Sequence, residues 1–190
     1  VLLPLVLAGV AGAAHPSAPR LPHARVETAL GAIEIEVDTI HAPVTAGNFL
    51  HYVDARMYDG GRFHRTVTLA NQPSNKVKIE VIQAGLDSTR HRDFPPIPLE
   101  RTSVTGLRHA DGEISMARGG PDTATSDFFI CIGNQPELDF GGKRNPDGQG
   151  FAAFGRVVKG MEVVRAIQRA PADGQRLTPP VTIVSIRRVP

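Results

Sequence analysis

The chain has no tryptophan, one cysteine, only four lysines among its 21 basic residues, and no apolar run long enough to span a membrane. Each shortage excludes something. With Cys131 alone, neither an internal disulfide nor a zinc site on paired thiolates can form. The formal net charge of +2, with no basic run longer than two residues, argues against a phosphate-binding stripe and hence against nucleic acid as partner. Seven histidines, at 15, 23, 41, 51, 64, 91 and 109, are never closer than eight residues, so the short His spacing of helical metal motifs is missing. No serine sits in a G-x-S-x-G elbow and no Walker phosphate loop occurs. Gly148-Gln149-Gly150 follows the turn-like Asn145-Pro146-Asp147 where a dinucleotide loop would follow a strand.

What remains is one domain's worth of chain, 190 residues with 41% hydrophobic content. Val1 to Ala14 is uncharged and ends in small residues. It reads as the apolar part of a secretory signal without its charged front, which leads to an expectation of a periplasmic or secreted protein with no stable membrane insertion after cleavage. Residues 15–25, with three prolines, read as a linker, and the domain is expected over 26–190.

Within it, Ile33, Ile35 and Val37 alternate with Glu34 and Glu36, the period of a half-buried strand, and Gly31 suits a turn back to residues 26–28. Pro43 opens a helix with Val44, Phe49, Leu50 and Val53 on its apolar stripe. Val77, Ile79 and Val81 alternate as another strand. Residues 113–116, 128–132, 151–158 and 181–189 add more, and a second helix follows Gly160, with Met161, Val164 and Ile167 on one face. Many short strands and two isolated helices predict a β-barrel or sandwich with helices over its openings.

Five short motifs recur in a fixed order: Phe63-His64-Arg65; Gln83-Ala84-Gly85; Ser115-Met116-Ala117; Ser126-Asp127-Phe128-Phe129-Ile130; and Phe154-Gly155-Arg156-Val157-Val158. In that order the chain resembles the cyclophilins, peptidyl-prolyl cis-trans isomerases, from about Val26 to Val189, and its variants resemble the bacterial, periplasmic branch. The resemblance implies a mainly β fold: a closed eight-stranded antiparallel barrel capped by two helices. It implies catalytic roles for Arg65 and Gln83, and substrate contacts at Val81, Ala117, Arg118, Asp127, Phe129, Leu138 and Phe151. Ala117 and Arg118 would meet the residue before the proline, Phe129 and Leu138 the proline ring, and His64 would pack behind the site. Neither cofactor nor metal is implied. The implied partners are proline-containing peptides and unfolded chains, bound by a monomer. A peptide-binding chaperone or partner-binding module with weak or no isomerase activity is the alternative.

The reaction explains this cast. An uncatalysed X–Pro bond isomerises in tens to hundreds of seconds over a barrier of about 20 kcal/mol. Raising the rate to ~1,000 per second requires removing about 7 kcal/mol. No covalent bond breaks, so a nucleophile is not needed; a cationic donor aimed at the nitrogen of the twisted amide favours the transition state over both planar forms. Arginine stays charged over the working pH range.

The chain also departs from the family pattern. Eighteen positions separate Arg65 from Gln83, a longer interval than the family's, and the surplus falls in residues 66–78. Its polar tip, residues 70–75, reads as a surface turn that the barrel does not need. Glu80 stands where an aromatic is usual, with Leu69 a candidate to fill the space. Asp127 replaces a glutamine, and Glu137 replaces the tryptophan linked to tight cyclosporin binding, so weak cyclosporin binding is expected. Residues 140–149 form a second insertion, read as a surface loop.

Overall fold

The computed structural model describes residues 20–190; the apolar segment 1–14 and residues 15–19 lie outside the described residues. Strand β1 (His23–Thr28) turns into β2 (Gly31–Val37), with Thr28 paired to Gly31 across the hairpin. Gly31 has φ 134°, a conformation that a side chain would strain. The Thr28 hydroxyl donates to the Gly31 carbonyl at 2.7 Å and accepts from the Leu30 amide at 3.1 Å, which closes the turn. Ile33, Ile35 and Val37 are fully buried, as their alternation predicts.

Helix α1 (Pro43–Asp54) follows, then β3 (Arg62–Val67), β4 (Val81–Gly85), the short helix α2 (Thr102–Thr105), β5 (Glu113–Met116), β6 (Phe128–Cys131), β7 (Ala152–Lys159), helix α3 (Met161–Gln168), the two-residue β8 (Ala172–Asp173) and β9 (Arg176–Val189). The strand order is β1-β2-β7-β5-β6-β4-β3-β9, and β9 pairs back onto β1, so eight antiparallel strands close a barrel; β8 only extends the start of β9. Closure removes free sheet edges. The core is where the few aromatics concentrate: Phe49 from α1 meets Phe128 edge-on at 5.5 Å, and Tyr58 meets the same ring at 5.6 Å. Helix α3 adds buried Val163, Val164 and Ile167 to the same core.

The N-cap residue of α1, Ala42, offers no side-chain acceptor. Glu100 supplies it from a distant loop, its carboxylate accepting from the Val44 amide at 3.1 Å and the Thr45 amide at 2.7 Å. Glu113, at the start of β5, borders a cavity shared with Glu36 and Asp38. Burial pushes its carboxyl up to about 8, against the pull of Arg156.

Several sequence expectations change. The linker ends earlier, because His23–Arg25 already pair in β1 and Ala24 is fully buried. Val44 is 43% exposed, and Thr45, Ala46 and Tyr52 share the buried face of α1 instead. Residues 77–80 are not strand: pairing with β3 stops at Val67 opposite Val81, and past it the Glu80 carbonyl accepts from the Ile132 amide at 3.0 Å without a further ladder pair. The Gln72 side chain holds that backbone instead, donating to the Ile79 carbonyl at 2.7 Å and accepting from its amide at 3.3 Å. Residues 70–75 are a turn with Ala70, Pro73, Ser74 and Asn75 exposed, as expected, but Gln72 within it is 1% exposed and braces it against the protein. Among the described residues, no helix is long and apolar enough to cross a membrane.

Candidate active site

The site grows out of the pleat. Along β4 and β6, Ile82, Ala84, Phe128 and Ile130 point into the barrel, and Val81, Gln83 and Phe129 take the opposite face. Cross-strand register then aligns Arg65 with Gln83, Gln83 with Phe129, and Phe129 with Ser115. Simple alternation would put Arg65 on the same face as buried Phe63. A bulge between them, at His64, prevents this: Phe63 pairs with Ala84 and Arg65 with Gln83, so one extra residue re-aims the guanidinium outward.

Arg65, Gln83, Val81, Phe129, Ala117, Arg118, Leu138 and Phe151 come together around one cavity of about 260 Å³, joined by Ile79, Arg144 and Asn145. Its floor is apolar. Val67, Ile79, Val81, Phe129, Cys131 and Leu138 form a cluster separate from the barrel core, and Phe151 stands edge-on to Phe129 at 5.3 Å. His109 stacks on Phe129 and is itself held by Asp139 at 2.8 Å and the Ser115 hydroxyl at 2.9 Å, so the slot is backed by a fixed ring.

Arg65 stands among neutral acceptors. Its Nη1 donates to Gln83 Oε1 at 3.0 Å, and its Nε and Nη2 donate to Gln175 Oε1 at 3.0 and 2.6 Å. Among the described residues it has no carboxylate partner. Burial, and then the nearby Arg144 charge, push its pKa down from the usual arginine value. Two of its five N–H groups, one on each Nη, have no partner among the described residues. A cation held by amides and left undersaturated is suited to stabilise an electron pair brought against it.

Gln83 is oriented in turn, its Nε2 donating to Asp127 Oδ2 at 2.9 Å. Asp127 therefore stands behind Gln83 and is not on the cavity wall, contrary to the substrate contact expected of it. Burial raises its pKa, while Gln83 and His64 oppose the rise. The close approach requires Gly85, where a Cβ would overlap Asp127 Oδ1. His64 is part-exposed beside that carboxylate, its Nε2 3.5 Å from Asp127 Oδ2. Ile79, not Leu69, fills the space left by Glu80: Ile79 is buried on the cavity wall, Leu69 is 53% exposed, and Glu80 accepts from Gln168.

Arg118 closes the other side. Its guanidinium donates to the Gly150 carbonyl and to both oxygens of Asp147, and lies 5.1 Å from the Phe151 ring centre. The Arg118 hydrogen bonds, and then the Gln149 amide, lower the Asp147 carboxyl to about 2. Residues 140–149 are thereby clamped against the groove, and contribute Arg144 and Asn145 to its wall. The sequence reading missed Gln175, Arg144 and Asn145. Gln175 lies in the β8–β9 turn, 110 residues from Arg65, and no local pattern marks it. Ile79 had a signal, since it shares the strand period of Val81.

The cyclophilin type peptidyl-prolyl cis-trans isomerase/CLD family profile matches residues 23–188. A peptidyl-prolyl cis-trans isomerase of Acinetobacter baylyi is 32% identical over 189 residues, spanning 96% of this chain and 93% of the relative. Peptidyl-prolyl cis-trans isomerase A of Dickeya dadantii is 36% identical over 152 residues, 80% of this chain and 73% of that one. In three dimensions, a cyclophilin-type isomerase of Cryptosporidium parvum superposes with a TM-score of 0.71 at 22% identity, over 90% of this chain and 98% of its own. A second crystal structure of that protein was determined in the presence of the dipeptide Ala-Pro. The closed barrel, the profile match over nearly all the described residues and these relatives agree: the chain belongs to the cyclophilin family and is a peptidyl-prolyl cis-trans isomerase.

Proposed function

We propose that catalysis proceeds by seating the proline ring in the slot of Phe129, Leu138, Val81, Ile79 and Phe151 while Arg65 donates to the amide nitrogen as the bond twists. The observation that carries this is the partnering of Arg65: amide oxygens fix its plane without neutralising it, and two donors stay open. The planar ground states keep the nitrogen lone pair in resonance, so the donor gains an acceptor only in the twisted state. The Gln83 amide fixes one edge of the guanidinium and Gln175 the other, so little reorganisation remains to be done during the reaction. The test is isomerisation of a short Ala-Pro peptide. Arg65→Ala is expected to lower kcat/KM by at least about 100-fold, about 2.7 kcal/mol, with the fold retained. Activity within a few-fold of wild type removes Arg65 from the mechanism.

The same reading extends to clients and place. Unfolded chains with exposed X–Pro bonds are the proposed substrates of this groove, in the periplasm or outside the cell, a site of action supported by the signal-like composition of residues 1–14. Mass spectrometry of the protein purified from its own cells tests it: cleavage near Ala14 agrees, and an uncleaved cytosolic chain overturns it. Cyclosporin is proposed to bind weakly. Glu137 adjoins Leu138 and is engaged with the Lys143 amide at 2.8 Å, so an apolar macrocycle would have to desolvate a carboxylate. Submicromolar inhibition contradicts this.

A further inference from the structure

Among the described residues, three guanidinium groups line the cavity, those of Arg65, Arg118 and Arg144, and no carboxylate does. Arg118 is neutralised by Asp147. Arg144 is not: among the described residues its side chain has only neutral acceptors, Gln72 Oε1 at 2.9 Å and the Val77 carbonyl at 2.7 Å. Both bonds come from Nη1, so the Nε and Nη2 edge, the edge that matches a carboxylate with two parallel N–H donors, has no partner.

Arg144 is also a built feature and not a waving surface side chain. Gln72, which fixes it, is buried and held in turn by the Thr68 and Ile79 carbonyls, each at 2.7 Å. The two insertions thus meet at this point: residues 66–78 supply the brace and residues 140–149 supply the cation. Burial lowers the pKa of both Arg144 and Arg65, and the Arg144 charge lowers that of Arg65 further, as expected of two like charges sharing a partly dry groove. An anion is what that groove lacks.

We propose that Arg144 is a specificity-determining residue that selects substrates with an Asp or Glu side chain immediately after the proline, paired to its Nε and Nη2. This rests on the isomerase reading of the same groove. The direction follows from the sheet. Ala117, which by the family resemblance meets the residue before the proline, leaves β5 on one side of β6, whereas Arg144 is tied to Val77, beside the entry to β4 on the other side. A chain crossing from Ala117 over Phe129 reaches Arg144 after its proline.

The test uses the peptides Ala-Ala-Pro-Xaa-Ala with Glu, Gln or Lys at Xaa, and Ala-Glu-Pro-Ala-Ala. Isomerisation is read by NMR exchange, which avoids the side-chain preferences of a coupling protease. Wild type is expected to favour Glu over Gln at Xaa about 10-fold in kcat/KM and to disfavour Lys, with the Glu preference shrinking as salt rises. Arg144→Gln is expected to bring the Glu-to-Gln ratio to within about two-fold. Equal turnover of the Glu and Gln peptides by folded wild type overturns the assignment and leaves the isomerase reading standing. A preference confined to the residue before the proline overturns it too, as does a Glu preference that survives Arg144→Gln. No turnover of any peptide sinks the isomerase reading; NMR shift titration with the Glu and Gln peptides then decides Arg144 by binding alone. Should Arg144→Gln fail to fold, the wild-type Glu, Gln and Lys series and its salt dependence decide.

Discussion

The two faces of β4 and β6 are built from the same nine residues of sheet yet obey different rules. Inward, Ile82, Ala84, Phe128 and Ile130 join the barrel's hydrophobic core, and Phe128 is the hub of an aromatic cluster with Phe49, Tyr58 and Phe63. Outward, Val81, Gln83 and Phe129 face a groove to which loops far away in sequence add Arg144 and Asn145, while Gln175 holds Arg65 from outside the lining. The inner face is a matter of volume and burial. The outer face is a matter of which polar atoms are left open, so a small displacement there changes chemistry before it changes stability.

That contrast can be broken at several points. The largest effect expected is on the inner face. Phe128→Ala should cost about 3–5 kcal/mol of stability in denaturant unfolding, by loss of the ring and the cavity it leaves. A loss below about 1 kcal/mol would mean that the barrel interior is not organised around this ring. On the outer face, Gln175→Ala should lower kcat/KM about 10-fold, about 1.4 kcal/mol, with the unfolding midpoint nearly unchanged, because it frees one edge of Arg65 without opening the core. Parallel losses of activity and stability would make Gln175 a strut only.

A third effect belongs to neither face and shows as a pH dependence. The Glu113 carboxyl titrates near 8 in the folded chain against 4.5 unfolded. Below pH 4.5 both states hold the proton and the group contributes nothing. As pH rises from 4.5 to 8 the unfolded state releases its proton first, so stability falls over that window. Glu113→Gln should therefore match wild type near pH 4 and exceed it in thermal stability near pH 8. A wild type that gains stability over this range relative to the variant would show that Arg156 outweighs burial.

Legibility followed the physics of each region. Period-two alternation marked Ile33, Ile35 and Val37, and separated Phe128 from Phe129, because one buried face leaves a strong imprint on a strand. The motif order located Arg65, Gln83, Ala117, Arg118, Leu138 and Phe151, all of which line one cavity. Asp127 lies off the cavity lining and accepts from Gln83, a placement that depends on cross-strand register and leaves no mark in the local sequence. The stretch Val77–Val81 alternates like a strand, yet only its last residue joins the sheet, since alternation reports a buried side and not a hydrogen-bonding neighbour. Residues 70–75 have the composition of an exposed turn, but one glutamine among them satisfies buried backbone groups. Gln175 had no readable signal, because its role exists only after β9 has closed the barrel beside β3.

In the proposed mechanism a rigid planar cation, not charge alone, lowers the barrier. The measurement that tests it most directly is kcat/KM of Arg65→Lys on the Ala-Pro peptide, beside Arg65→Ala. Lysine keeps the charge but cannot donate to Gln83 and Gln175 at once while presenting two further N–H groups to the groove. The account predicts that Arg65→Lys falls within about 10-fold of Arg65→Ala, a difference of about 1.4 kcal/mol at most. A lysine variant that retains near-wild-type activity would contradict it.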